Sequence, residues 1–340
     1  MQGIKGLCRE NVGVVCARAP PNFQHRGAII SDYTARVDAP GRSKQDLVIP
    51  LPLRLRRATR AIAALLAFLV LAGATYQGVA TALERHRFKR PGGLVDAGGH
   101  QLHIYCTGQG APVVILEAAA GSMSPAWAWV QPDVARKTRV CSYDRAGLGW
   151  SEAGDGRYEA SRVPEELRVL LDRANEIGPV VLVGHEAGAL FARMYAARFP
   201  EDTAALVLID DPTTVQTTMR ATFPSAWPWL ARVGLLRLSG QLSSLAEGLP
   251  GESGGAMRAF LNRPDHLTRA AMELSGLDEV TSTTRPLVLP SRIVVASVSL
   301  GTSAQPAMIV TREQAARVIE AIDGTVGQVR ESDALTKSEQ

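Results

Sequence analysis

The chain has 340 residues, 46% of them hydrophobic and 21% charged, with a formal net charge of +4. That length suits one α/β domain of roughly 200–250 residues with extensions, and the apolar share allows a large core plus a membrane element. Part of the basic excess is the arginines flanking one apolar stretch, so it does not argue for nucleic acid. No H-E-x-x-H, paired C-x-x-C or G-x-x-x-x-G-K-[ST] string is present, so no metal and no cofactor are expected.

In chain order, residues 1–50 show no periodicity and scattered Pro, Gly and charge. They read as a disordered extension or as an over-extended start. Residues 51–90 form a basic flank and an apolar anchor or signal. Positions 61–83 carry no charge, enough to span a bilayer core of roughly 30 Å. Arg54, Arg56, Arg57 and Arg60 precede the segment, and Arg85, Arg87, Lys89 and Arg90 follow it. That tie leaves orientation open, and the small residues Ala72, Gly73 and Ala74 leave signal cleavage open as well.

Residues 94–106 read as a hairpin turning at Gly98 and Gly99. Residues 113–117 and 139–143 read as buried strands, 164–177 as a helix and 180–185 as a third buried strand. A helix over 187–199 stops at Pro200, and a strand over 204–209 ends in Asp210, Asp211 and Pro212. Strand, helix, strand in about thirty residues is a βαβ unit, so the fold class is α/β with a mostly parallel sheet. Residues 213–286 leave this rhythm. They carry Phe223, Trp227 and Trp229, aromatics expected to pack the segment's own core, with binding of lipid or a hydrophobic ligand as the alternative. A strand over 292–296 is followed by only a short apolar run at 307–310. A parallel crossover needs a dozen residues or more, so the last strand is expected to be vestigial or the sheet to end one strand early. A final helix covers 312–322, and 325–340 reads as a disordered tail.

The most informative segment is Val180-Val181-Leu182-Val183-Gly184-His185-Glu186-Ala187-Gly188. It is a strand, a glycine-bracketed turn and a helix start, the form of the G-x-S-x-G nucleophile elbow with Glu186 in the place of Ser. Two further runs bear on it. One is Asp144-Arg145-Ala146-Gly147-Leu148-Gly149-Trp150-Ser151, and the other is Leu116-Glu117-Ala118-Ala119-Ala120-Gly121-Ser122 with Trp127 after it. Together they make residues 92–324 resemble the α/β-hydrolase superfamily. Within it the chain is most similar to bacterial membrane-anchored serine-hydrolase-like proteins that carry C-S-Y-D-R-A-G-L-G-W-S. The resemblance implies an N-terminal hairpin, a hydrolase domain over 91–324 and a helical cap over 213–286.

It also implies a nucleophile, a histidine, an acid and two oxyanion amides. The amide of Ala187 is in place for one. The second would come from Ala118 to Ala120, where the methyl of Ala119 narrows the hole. The histidines stand at 25, 86, 100, 103, 185 and 266. None follows 266, and Met308 falls where the family's histidine is expected. No Asp or Glu lies between Ser291 and Thr311. The triad is therefore degenerate.

The bland reading of Glu186 is a carboxylate at a helix N-terminus, filling the oxyanion hole itself. The sharper reading is a carboxylate nucleophile, as in epoxide and haloalkane hydrolysis, but His185 beside it should be aimed away. The expected protein is a membrane-anchored, non-catalytic homologue that keeps a pocket for a partner, a small hydrophobic ligand or an ester. The alternative is an active hydrolase using Glu186 or other residues. Asp210 is expected to cap the next turn, His266 to pack the cap, and Glu117 to be a hydrogen-bonding support.

In the family's sheet order Cys106 and Cys141 lie on neighbouring strands. These are about 4.8 Å apart, within reach of a disulfide, with two buried thiols as the alternative. A disulfide would imply an oxidising compartment, hence a periplasmic or extracellular domain.

Overall fold

The computed structural model describes residues 52–154, 158–176, 178–214, 226–301 and 308–338. The chain divides into two compact units, Met1–Leu53 and Arg54–Gln340, and the account below concerns the second. The expectation for residues 1–50 lies outside the described residues.

A long helix, α1 (Leu53–Arg87), comes first, followed by strands β1 (Gly93–Asp96), β2 (Gln101–Thr107) and β3 (Val114–Glu117). The short α2 (Gln131–Val134), β4 (Val140–Tyr143), α3 (Val163–Arg173), β5 (Val180–His185), α4 (Ala187–Arg198) and β6 (Thr203–Ile209) follow. Helices α5 (Trp227–Arg232), α6 (Leu235–Ser239), α7 (Gly251–Leu261) and α8 (Pro264–Thr284) occupy the segment expected as the cap and are called the cap. The chain then returns to the sheet as β7 (Val294–Val298) and closes with α9 (Arg312–Ser338).

The sheet order is β1-β2-β4-β3-β5-β6-β7. β1 and β2 form the expected hairpin, β2 meets β4 antiparallel, and the remaining pairs are parallel. Successive side chains on a strand face opposite sides, and both sides here are buried. Leu182, Leu206 and Leu208 face one core with Leu170, Ala192 and Tyr195. Val181, Val183 and Val207 face the other with Trp127, Val318 and Ile322. That two-sided burial explains why the strands read as continuous apolar runs. Among the described residues no strand follows β7, in line with the short connection.

Two elements depart from expectation. First, α9 runs through 325–338, where a disordered tail was expected. Val326 and Val329 continue its apolar stripe onto the sheet, and Arg330 donates to the carbonyls of Ala111 at 2.8 Å and Lys137 at 3.0 Å. Second, α1 is long and apolar enough to cross a membrane by length and composition, but its C-terminal part is not free. Gly73 lies so close to the Val233 carbonyl that no side chain would fit. Gln77 is buried and donates to the Asn262 carbonyl at 2.8 Å.

Cys106 and Cys141 are direct cross-strand partners in the β2–β4 ladder, and they are joined as a disulfide. The open alternative of two free thiols is therefore not what the structure contains.

Candidate active site

β5 delivers the chain to the elbow and α4 carries it away. Glu186 sits between them at φ +49° and ψ −113°, a region rarely occupied by residues with a Cβ. Its N–H donates to the Ile209 carbonyl at 2.8 Å, which ties the turn to β6. The two glycines are required by packing. Gly184 abuts Gly188 and Ala189, and Gly188 abuts the Glu117 and Ala118 carbonyls. Glu186 is half-buried and its side chain makes no capping bond to α4.

His185 is aimed away from the turn, as expected. It is buried, and its ring stands edge-on to Trp127 with centroids 6.3 Å apart. Burial pushes its pKa down from 6.5 to about 4, so the ring is neutral.

The loop that follows β3 is held from behind by Arg145, buried and surrounded by acceptors. Its Nη1 donates to Glu117 and, at 2.8 Å, to the Ala118 carbonyl. Nη2 donates to the Ala119 carbonyl at 2.9 Å and to Glu273 at 2.8 Å, and Nε donates to Glu273 at 2.9 Å. All five guanidinium N–H groups are thus engaged. Glu273 comes from cap helix α8 and also accepts the Gly121 N–H at 2.8 Å. Glu117 further accepts the Tyr143 hydroxyl, so the expected supporting role stands. Burial raises the pKa of Glu117 and outweighs the lowering by Arg145. The structure thus gathers Glu186, Ala187, Ala118 and Ala119 at one edge of the sheet. It also places the Arg145–Glu273 pair there, which sequence reasoning missed.

The proton carrier is not found among them. Met308 is buried in one cluster with Met123, Phe260 and Leu267, and its carbonyl accepts the Ser122 hydroxyl at 2.5 Å. His266 does more than pack. Its Nδ1 accepts the Gly149 N–H at 3.1 Å and its Nε2 faces the Gly121 carbonyl at 3.0 Å. The proton therefore sits on Nε2, and the ring pins α8 to both loops. Burial lowers its pKa. His100 faces Glu166 at 3.8 Å, and His86 lies exposed on α1.

His103 has a carboxylate and a hydroxyl at hand, Asp144 Oδ2 at 3.0 Å and Ser124 Oγ at 3.4 Å. Both approach the same ring nitrogen, Nδ1, while Nε2 faces the Pro91 carbonyl at 2.5 Å. A serine relay needs hydroxyl and carboxylate on opposite nitrogens, so this cluster is a staple for the 144–151 loop. Burial would raise the Asp144 pKa, but the His103 ring together with the Ser124 and Trp150 amides outweighs it and the net shift is down.

The capping expectation for Asp210 is corrected by one residue. Asp211 accepts the Thr213 N–H at 2.9 Å and pairs with Arg193 at 2.8 Å. Asp210, at φ +48°, accepts the Leu300 N–H at 2.8 Å and so ties β6 to the end of β7. Cys106, Cys141 and Glu176 lie close enough to share a cation. The two sulfurs are bonded to each other, however, and Glu176 holds Arg139 at 2.7 Å.

A cavity of about 400 Å³ lies apart from the elbow. Phe88, Tyr105, Ala128, Trp150 and Ala256 give it apolar walls. Ser142, fully buried on β4, also lines it, and its hydroxyl has no hydrogen-bond partner among the described residues. A larger but more polar groove runs along α1 and shares Phe88 and Glu252 with it.

A family model described as the alpha/beta hydrolase fold matches residues 111–273. The chain has the α/β-hydrolase fold. The epoxide hydrolase CorEH superposes with a TM-score of 0.54 at 17% identity, over 70% of this chain and 98% of that one. At that identity the likeness is one of fold. The 2-hydroxy-6-oxo-2,4-heptadienoate hydrolase of Pseudomonas putida is 34% identical over 122 residues, 35% of this chain and 44% of that protein. An uncharacterized vacuolar membrane protein of Saccharomyces cerevisiae is 27% identical over 129 residues, 33% of this chain and 20% of that protein. The chain thus covers less than half of either relative.

The two buried rings of this α/β-hydrolase fold set an acid sensitivity. His185 and His266 are neutral when folded and take up a proton below pH 6.5 once unfolded. The unfolded state then binds more protons, so stability falls as the pH drops from 6.5 towards 4. His185 alone accounts for about 3 kcal/mol by the lower end. Urea midpoints measured between pH 7 and pH 4.5 should fall steadily, and His185→Phe should flatten the slope. Equal slopes for both proteins would refute this.

Proposed function

We propose that this protein is a non-catalytic α/β-hydrolase homologue, tethered to a membrane by α1, that binds a small apolar ligand. The observation that carries the reading is the elbow. Glu186 stands where a hydroxyl nucleophile would, and every histidine among the described residues is exposed on α1 or turned to groups other than Glu186. A general base must lie within hydrogen-bond reach of the proton it removes, and Met308 supplies none. Ala118, Ala119 and Ala187 keep the backbone of an oxyanion site without a reaction to serve.

The cavity lined by Ser142 supports ligand binding. Its volume falls within the usual range for small molecules, and its apolar walls are joined by polar groups such as Gln131, Ser142 and Glu252. The Cys106–Cys141 disulfide supports a domain in an oxidising compartment, outside the cytoplasm. Likeness to membrane-anchored bacterial hydrolase homologues, read from the sequence, supports the tether.

A turnover screen of the purified protein against short p-nitrophenyl esters, epoxides and haloalkanes tests the reading. Rates should stay at background, and Glu186→Ser should not raise ester turnover, because no histidine activates the new hydroxyl. Turnover of any of the three classes well above background, abolished by Glu186→Gln, would instead establish Glu186 as a carboxylate nucleophile.

A further inference from the structure

Helix α1 has 35 residues, about 52 Å at 1.5 Å per residue. Its uncharged part, residues 61–83, covers about 35 Å by the same rise. The cap, however, already meets the helix at Gly73. Gly73 packs on the Val233 carbonyl, and Tyr76 lies against Gly234, the turn between α5 and α6. Residues 61–72 alone supply about 18 Å, well short of a hydrocarbon core of roughly 30 Å. Sliding the span towards the N-terminus does not help. It draws in Arg60, Arg57, Arg56 and Arg54, charges that are costly at mid-membrane. Sliding it towards the C-terminus brings the cap along.

The cap surface at that level carries exposed apolar side chains. Leu235 follows the Gly234 turn directly and is 53% exposed, Leu238 is 68% exposed one turn on, and Trp229 on α5 is 69% exposed. The Arg232 guanidinium stands 4.7 Å from the Trp229 ring centroid, the aromatic and cationic pairing of a membrane–water boundary. Where α6 meets α1, polar side chains pair with one another. Arg237 donates to Gln77 at 3.0 Å and pairs with Glu84, while Gln77 donates to Asn262. Satisfied polar groups are the ones a membrane interior tolerates.

We propose that α5 and α6 enter the lipid leaflet on the side of the hydrolase domain, with Trp229, Leu235 and Leu238 against acyl chains. This rests on α1 spanning the membrane. The full chain, reconstituted in phosphatidylcholine vesicles with bromine on the acyl chains, tests it through tryptophan fluorescence. Wild type should be quenched more than Trp229→Phe, the difference being the share of one tryptophan among five. Equal quenching in protein that floats with the vesicles would overturn the leaflet contact and leave the tether standing. Protein that does not float, or that covers this face by forming a soluble dimer, would overturn both.

Discussion

Replacing Arg145 with Met should lower the stability of the domain by about 3–5 kcal/mol, the usual result of breaking a buried pair by removing one partner. At 2–4 °C per kcal/mol for domains of this size, the thermal midpoint should fall by roughly 6–20 °C. Glu117 and Glu273 would be left buried without their cation, and the carbonyls of Ala118 and Ala119 would lose their donor. Burial alone would weaken the charge on Arg145, and Glu273 and Glu117 more than offset that, so the group stays cationic. Lys has three donors where Arg has five, so Arg145→Lys should recover only part of the loss. Adding Glu117→Gln and Glu273→Gln to Arg145→Met should recover more than half, since an uncharged set has no ion to desolvate. Near-ultraviolet circular dichroism melts of the variants check this. An unchanged midpoint for Arg145→Met would show that the network is not what holds cap to loop.

Reducing the Cys106–Cys141 bond, or replacing both residues with Ser, should cost about 4 kcal/mol. That figure follows from chain entropy for a separation of 35 residues. Denaturation curves with and without reductant measure it, and the double variant should match the reduced protein. Mass spectrometry of unreduced protein from native membranes should find the two cysteine peptides still joined. Alkylation of both thiols without reductant would remove the main support for an external domain. The other two cysteines, Cys8 and Cys16, lie outside the described residues.

The sheet was legible because its signals are local and redundant. Gly98 and Gly99 mark the hairpin, the valine and leucine runs mark strands buried on both faces, and Pro200 marks the end of α4. The elbow was legible because Gly184 and Gly188 leave a pattern that packing enforces. Most of the misses come from contacts between residues far apart in sequence. Glu273 reaches Arg145 across 128 positions, and nothing in its helix announces that it will be buried. Gln77 meets Asn262 across 185 positions, so hydropathy marked the apolar part of α1 but not where the cap begins to cover it. Helix α9 was cut short because glycines at 324 and 327 and the charges beyond them resemble a tail. Arg330 and Val329 turn that stretch back onto the body of the domain. That Asp211 rather than Asp210 caps the turn goes with the positive φ of Asp210, which neighbouring sequence does not reveal.

The stripe of α9 also bears on how the chain folds during synthesis. Val318, Ile322, Val326 and Val329 complete a core whose other half comes from Val114, Leu116, Trp127 and Val140. These halves lie some two hundred residues apart, so one face of the sheet stays uncovered until the C-terminus emerges. At roughly 5–20 residues per second that interval is on the order of ten to forty seconds. During it an apolar face is open to aggregation, and such long-range closure is slow in itself. A chain that has left the cytoplasm unfinished would need a holding chaperone for that time. Truncation before residue 312 should therefore yield an insoluble product rather than a smaller folded domain.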